Sequence, residues 1–265
     1  MPDPQLTVVS YNLRVDAGPR EPAQSWAARL PLVLESIRRL EPDFLGTQEG
    51  LISQLEDLRR ALPGYRFVGQ GREGGLRGEF AAIFYRADRF APLEQGDFWL
   101  SDTPDAPGSS TWGNRYRRMA TWGRFFDRRH RRELLVLNTH WDHEVPAARE
   151  KSAALMRHRV AHWPAGLPVV VTGDFNAVAD ADPAYRLMVE DGFFQDTWSV
   201  AAARRGDPTL DTFHDFQPPR HENRRIDWIL TRGPWRTVDV EIVGDSFGGR
   251  FPSDHFPVVA RLDYT

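Results

Sequence analysis

Short apolar runs alternate with helical stripes along this chain. Leu6 to Ser10 reads as a buried strand, and Leu30, Val33, Leu34, Ile37 and Leu40 then share one face at helical spacing. Pro31 is expected in the first turn of that helix, where a missing N–H costs little. Phe44 to Thr47 is a second short strand ending at Gln48-Glu49. Leu51, Leu55, Leu58 and Leu62 mark a second helix, stopped by Pro63-Gly64.

The middle of the chain predicts strands over Tyr65–Gly69, Phe80–Tyr85, Ala120–Phe126 and Leu134–Thr139. The last two form a hairpin around an arginine-rich tip. Pro146 opens a helix to about His162, and Val169 to Thr172 is an apolar strand ending at Gly173-Asp174. Pro183 opens a short helix through Glu190. Ile226–Thr231, Val238–Val243 and Pro257–Leu262 finish the chain as strands. Strands and helices interleave, and the two halves share a rhythm of strand, helix, strand and hairpins. That pattern implies an α/β protein, with two mixed sheets packed face to face and helices outside, in one domain over residues 1–265.

The chain has 265 residues, and nine Trp and sixteen Phe supply ample material for a core. A formal net charge of −3 gives no global sign of nucleic-acid binding. Basic residues do cluster at Arg115–Arg118 and Arg128–Arg132; the second run reads as a solvated hairpin tip. The absence of cysteine excludes thiolate catalysis, cysteine zinc sites and disulfides. Met1 to Thr7 has no basic and apolar leader pattern, and no apolar run approaches ~18 residues, so a cytoplasmic, monomeric protein without a membrane segment is the expectation.

Candidate chemistry gathers at predicted strand ends. Asn12 closes the first strand, where it is a turn residue or a site residue. Glu49 closes the second. His140 ends the strand from Leu134, followed by Trp141, Asp142 and His143. Asp174 and Asn176 are two apart after an apolar strand, which puts both on one face of an extended segment; the alternative is a Gly-Asp turn with an Asn cap. Asp227 lies in an apolar strand, where an unpaired carboxylate is costly. Its partner is a neighbouring arginine or a histidine, and His255, beside Asp254, is the candidate. Acids, amides and imidazoles of this kind suit a hard, oxygen-ligated cation and hydrolysis of a phosphate ester.

In order, Ser10-Tyr11-Asn12, Thr47-Gln48-Glu49, Asn138-Thr139-His140, Gly173-Asp174-Phe175-Asn176, Arg225-Ile226-Asp227 and Ser253-Asp254-His255 resemble the motifs of the endonuclease/exonuclease/phosphatase superfamily, the DNase I-like fold. They span nearly the whole chain. The resemblance implies a four-layer α/β sandwich and a metal-dependent phosphoesterase. By the same resemblance Glu49 binds the divalent metal, usually Mg²⁺ with Mn²⁺ as a substitute, and Asn12 lies close by. Asp174 orients or deprotonates the attacking water, and Asn176 holds that water or the phosphate. Asp227 pairs with His255, whose imidazolium meets a phosphate oxygen, and His140 binds the phosphate from the other side. Asp254 lies at a second position sometimes taken by a metal.

One departure matters. Arg14 stands where nucleases of the abasic-site repair branch carry an acid, which removes a metal-site carboxylate and argues against that branch. Phe98-Trp99-Leu100-Ser101-Asp102-Thr103-Pro104, Arg118-Met119-Ala120-Thr121-Trp122 and Thr212-Phe213-His214 are similar to bacterial members near the deadenylase-like branch. Arg118 is either a surface arginine or a bidentate phosphate donor. Trp112, Trp141 and Phe216 are candidate pocket walls, with Asp142 beside them as a substrate-binding residue. The expected substrate is first a phosphodiester of a nucleic acid or nucleotide, and second a small phosphate ester such as a sugar phosphate.

Overall fold

A computed structural model describes residues 5–16, 18, 22–164 and 166–265 of the chain; Met1–Pro4, where the N-terminal reading above begins, lie outside the described residues. The strands are β1 (Leu6–Asn12), β2 (Phe44–Gly50), β3 (Tyr65–Val68), β4 (Phe80–Arg86), β5 (Phe90–Trp99), β6 (Met119–Asp127), β7 (Arg132–His140), β8 (Val169–Asp174), β9 (Gln195–Asp196), β10 (Ala203–Arg205), β11 (Asp227–Arg232), β12 (Trp235–Ile242) and β13 (Val258–Tyr264). The helices are α1 (Trp26–Leu40), α2 (Ile52–Ala61), α3 (Pro146–Ala161), α4 (Pro183–Val189) and α5 (Thr197–Val200).

These strands form two mixed sheets. One has seven strands in the order β10-β12-β13-β1-β2-β4-β3, the other six in the order β5-β6-β7-β8-β11-β9. In each sheet the central parallel pair is joined through a helix: β1 to β2 through α1, and β7 to β8 through α3. The shared rhythm of the halves is thus a repeated βαβ unit.

Burial explains the layering. One apolar cluster lies between the sheets, with Val8, Phe44 and Ile83 meeting Phe125, Val136, Val170 and Ile229. A second packs α1 and α2 on the seven-stranded sheet through Val33, Ile37, Leu55 and Leu58. A third packs α3 and α4 on the six-stranded sheet through Ala153, Met156, Val160 and Met188. The central strands are apolar on both faces because each face meets another layer. The four-layer sandwich expected from the sequence is therefore the observed architecture.

The short β9, α5 and β10 have no counterpart in the sequence reading, and α1 and β5 depart from it for physical reasons. Helix α1 starts a turn earlier than its leucine stripe suggests, because the Trp26 N–H is taken by Asp16 Oδ1 at 3.0 Å. Pro31 thus sits inside the helix. It is exposed, so the Ala27 carbonyl that loses its helical bond faces water. Strand β5 has no apolar pattern to announce it, since Leu93 to Gln95 are exposed. It pairs only with β6, at the sheet edge, and there Pro92 is tolerated beside a register shift.

Near one end of the sandwich the interface between the sheets turns polar. Asn138 on β7 donates to the carbonyls of Thr47 at 2.8 Å and Ala82 at 2.9 Å on the opposite sheet. Its Oδ1 accepts from Gln48 at 2.7 Å and from Thr172 at 3.0 Å. Every polar atom of the Asn138 amide is thus satisfied across the seam. Gly46 makes room for this cluster: a Cβ there would stand 2.0 Å from Thr172 Oγ1 and 2.8 Å from Asn138 Oδ1. Gly46→Ala is expected to destabilise the protein by at least about 2 kcal/mol, as overpacking forces the seam apart. An unchanged urea midpoint would refute that account of the seam.

Candidate active site

Strand direction brings the distant motifs to one edge. β1, β2, β7 and β8 all end at this edge, with Asn12, Glu49, His140 and Asp174 at or next to their last residues. β11 runs antiparallel to β8, so its first residue, Asp227, lies opposite Asp174. His140 is opposite Asp174 on the other side. His255 precedes β13, which is antiparallel to β1. Glu49 sits in a β-bulge at φ 64°, a left-handed conformation that turns its side chain toward the crevice. The loops are tied from behind by Arg29 of α1. Its buried guanidinium donates to the carbonyls of Leu13 at 2.6 Å, Arg14 at 2.8 Å, Pro252 at 3.0 Å and Gln24 at 2.7 Å.

Asn12 is the hub of the cluster. Its Nδ2 donates to Glu49 Oε1 at 3.1 Å and Asp174 Oδ2 at 2.9 Å, and lies 3.5 Å from His255 Nε2. Its Oδ1 accepts the Arg14 N–H at 2.9 Å, and a backbone donor fixes which way the amide faces. Asn12 therefore uses its amide hydrogens to hold the two carboxylates at a set separation, while one lone pair of its oxygen is taken by the Arg14 backbone. His255 Nδ1 bonds Asp227 Oδ2 at 2.9 Å, and its Nε2 lies 3.8 Å from Asp174.

These groups titrate apart. Burial, and then the Asp227 carboxylate, push the Asp174 carboxyl up to about 7. Burial opposes a charge on His255, yet Asp227 and Asp174 hold its imidazole well above the usual range. His140, 3.4 Å from Asp174, is pushed well below it by burial and then by Arg118, so its ring is neutral at pH 7. Burial would raise Glu49, but the Val15 N–H, His255 and Asn12 outweigh it and keep the carboxylate ionised.

Glu49, His140, Asp174 and His255 line a cavity of about 450 Å³, with Asn12 and Asp227 behind them. Glu49, His140 and Asp174 offer ligand atoms within 4.8 Å of one another, as do Asp174, Asp227 and His255, but in the second group the ring nitrogen of His255 is already bonded to Asp227. Five carboxylates line the cavity (Glu49, Glu79, Asp174, Asp215, Asp254) against three arginines (Arg14, Arg72, Arg118). With the His255 imidazolium beside them these charges nearly balance, and the oxygens of Glu49 and Asp174, close together, suit a hard divalent ion.

Arg118 is 5% exposed and lines the cavity beside His140. Its Nη2 lies 3.0 Å from His143 Nδ1, while its Nε and Nη1 have no hydrogen-bond partner. It is not a surface arginine. Asp142 does not reach the cavity; it caps the next turn by accepting from Glu144 at 2.9 Å and Val145 at 2.7 Å, with its other oxygen 4.0 Å from Arg118. Trp141 is also no pocket wall. Its ring is fully buried against Phe175 and Trp228, and only its carbonyl serves the site, accepting from Asn176 at 3.0 Å. Trp112 and Phe216 are likewise off the lining, which Phe213 joins instead, its ring 4.9 Å from His255. Arg14 lies between Asp254, at 3.5 Å, and Glu49, at 4.0 Å. His143, the second imidazole after β7, also lines the cavity, whereas Arg72, Glu79, Tyr116 and Asp215 were not anticipated; of these, only the basic run around Tyr116 carried a signal in the sequence.

The sequence profile of the endonuclease/exonuclease/phosphatase family matches residues 9–255. No curated protein matches the chain. Among solved structures, a mannosyl-6-phosphatase of Bacteroides thetaiotaomicron is 36% identical with a TM-score of 0.91, covering 98% of this chain and 100% of its own. An endonuclease/exonuclease/phosphatase of Bacteroides vulgatus is 34% identical with a TM-score of 0.91, covering 98% and 99%. The catalytic domain of human Nocturnin, at 19% identity, a TM-score of 0.76 and coverage of 99% and 96%, shares the fold.

The loop that carries Phe213 and Asp215 is anchored by His214. Its ring stacks on Phe256 at 4.1 Å and packs on Phe251 at 4.5 Å. No well-formed hydrogen bond reaches either ring nitrogen, although backbone groups of Gln217 and Ser253 are near. Burial lowers its pKa from 6.5 to about 4. Protonation therefore favours the unfolded chain: stability is unaffected above pH 6.5 and falls as pH drops toward 4, by up to about 3 kcal/mol from this group. His214→Phe keeps the stacking and removes the titration. Its unfolding free energy should fall less than that of the wild type over this window, and equal slopes in urea titrations would contradict the assignment.

Proposed function

The chain belongs to the endonuclease/exonuclease/phosphatase family, and from that premise we propose that it hydrolyses a phosphate monoester of a small, sugar-like molecule with the help of Mg²⁺. It is an enzyme of the phosphoesterase type, in a family whose members use divalent metals. The observation that carries the finer reading is the cavity itself. It is of monosaccharide size, its phosphate end has cationic donors, and carboxylates line the remaining wall. A polynucleotide would place further phosphates against Glu79 and Asp215. The mannosyl-6-phosphatase likeness points the same way, so the small phosphate ester moves ahead of the nucleic acid.

We assign the roles from geometry. Glu49, with Asp174 across from it, would hold the ion, which when bound supplies positive charge to the phosphoryl oxygens. Mn²⁺ would replace Mg²⁺ in the same oxygen-rich cradle. Asp174, held in place by the Asn12 amide, accepts the proton of the attacking water. Asn176, whose backbone N–H holds Asp174 Oδ1 at 3.0 Å, keeps that carboxylate aligned at the cavity wall. The His255 imidazolium, oriented by Asp227, donates to one phosphoryl oxygen. The Arg118 guanidinium at the cavity wall, and the neutral ring of His140, donate to the others. These donors stand in place before charge builds on the transferring group, the arrangement that gives the largest catalytic effect. Asp254 already faces the cation of Arg14, so we assign it to position Arg14 rather than to bind a second ion.

With p-nitrophenyl phosphate and Mg²⁺, Asp174→Asn and His255→Ala should each lower kcat by roughly a hundred- to ten-thousand-fold. Unchanged turnover in both would sink these roles. Exhaustive EDTA treatment should abolish activity and added Mg²⁺ restore it; full activity after EDTA would rule out the metal requirement.

A further inference from the structure

Arg72 and Glu79 take no part in the chemistry assigned above, yet both line the cavity wall next to Arg118. Arg72 Nη1 meets Glu79 Oε2 at 2.7 Å, with the side chains only 14% and 18% exposed. A largely buried ion pair is a poor source of stability, because the desolvation of both charges offsets most of their attraction. An apolar pair would serve the fold as well.

This pair is also held rigidly. The Arg72 N–H donates to the Glu79 carbonyl at 2.9 Å, and the Arg72 carbonyl accepts the Trp99 indole N–H at 2.7 Å. The intervening loop is folded tightly on itself: a Cβ on Gly71 would lie 2.0 Å from the Arg77 carbonyl oxygen. Tyr116 closes the wall, its ring 5.2 Å from the Arg72 guanidinium and stacked on His143 at 5.7 Å. Beyond their mutual bond, the side chains of Arg72 and Glu79 make no hydrogen bond to the other described residues. The second carboxylate oxygen and the remaining guanidinium N–H groups are left for a ligand.

A fixed acceptor beside a fixed donor matches two neighbouring ring hydroxyls of a sugar, about a hydrogen-bond length apart. One hydroxyl accepts from the guanidinium while the next donates to the carboxylate. A carboxylate in this place also repels a second phosphate, which excludes polyphosphates and nucleic-acid backbones. A site built to hydrogen-bond hydroxyls discriminates strongly, because a wrong epimer leaves a hydrogen-bonding group of the site without its partner.

We propose that Arg72 and Glu79 form the subsite that reads the ring hydroxyls of a monosaccharide phosphate, a reading that rests on the monoester function above. The test compares kcat/KM for mannose 6-phosphate and glucose 6-phosphate, which differ in one hydroxyl, each divided by kcat/KM for p-nitrophenyl phosphate. The wild type, Glu79→Gln and Arg72→Met are measured, with thermal unfolding as a check on folding. Expected is a preference for one epimer in the wild type, and a fall of tenfold or more in the sugar-to-aryl ratio in both variants. Should either variant fail to fold, Glu79→Asp, which keeps the charge and withdraws the oxygen, replaces it with the same expectation. An unchanged ratio overturns the subsite while leaving the monoester reading intact. If the wild type cleaves bis-p-nitrophenyl phosphate or oligonucleotides but neither sugar phosphate, the monoester reading and the subsite both fall.

Discussion

The spacing of the two sheets is the constraint on which the rest depends, and Asn138 sets it. One side-chain amide, buried between the sheets, reaches two carbonyls of the opposite sheet and accepts from Gln48 of that sheet and Thr172 of its own. An amide in an apolar interface is expensive unless all its groups are paired, and here they are. The same pairing forbids the sheets from sliding. Asn12 and Glu49 come from one sheet and His140, Asp174 and Asp227 from the other, so the site exists only at the register the seam enforces.

Within that frame the buried charges explain one another. Asp227 is tolerable inside the protein because His255 carries a proton against it, and His255 keeps that proton because Asp227 and Asp174 face it. Asp174 then has one neighbour that favours its charge and another that opposes it, and is left near neutrality. Arg14 balances Asp254 and Glu49 on the other flank. No member of the set has its properties alone; each pKa belongs to the arrangement.

The motif residues were legible because polar side chains at the ends of apolar strands stand out in the sequence. Asn12, Glu49, His140, Asp174, Asn176, Asp227, Asp254 and His255 are brought to one edge, and the Asp227–His255 pair is bonded as expected. The walls were less legible. Trp141 follows His140 directly, yet the residue after a strand end points to the opposite side, into the aromatic core with Phe175 and Trp228. Arg72 and Glu79 sit in a glycine-rich loop with no apolar period, where composition suggests only a solvated turn. Strand β5 was hidden for a related reason: an edge strand with exposed residues need not alternate.

What the sequence determined by itself was the list of elements, the layering and the chemical type of the site, because apolar periodicity and motif residues are local properties of the chain. The tertiary structure decided which side chains face the cavity and how their protons are shared. It turned Arg118 inward with two free N–H groups, engaged the Asn12 oxygen on a backbone donor, and put Arg14 between two acids. Those outcomes depend on residues far apart in the chain meeting at fixed distances, and desolvation and Coulomb energies are properties of that meeting rather than of any segment.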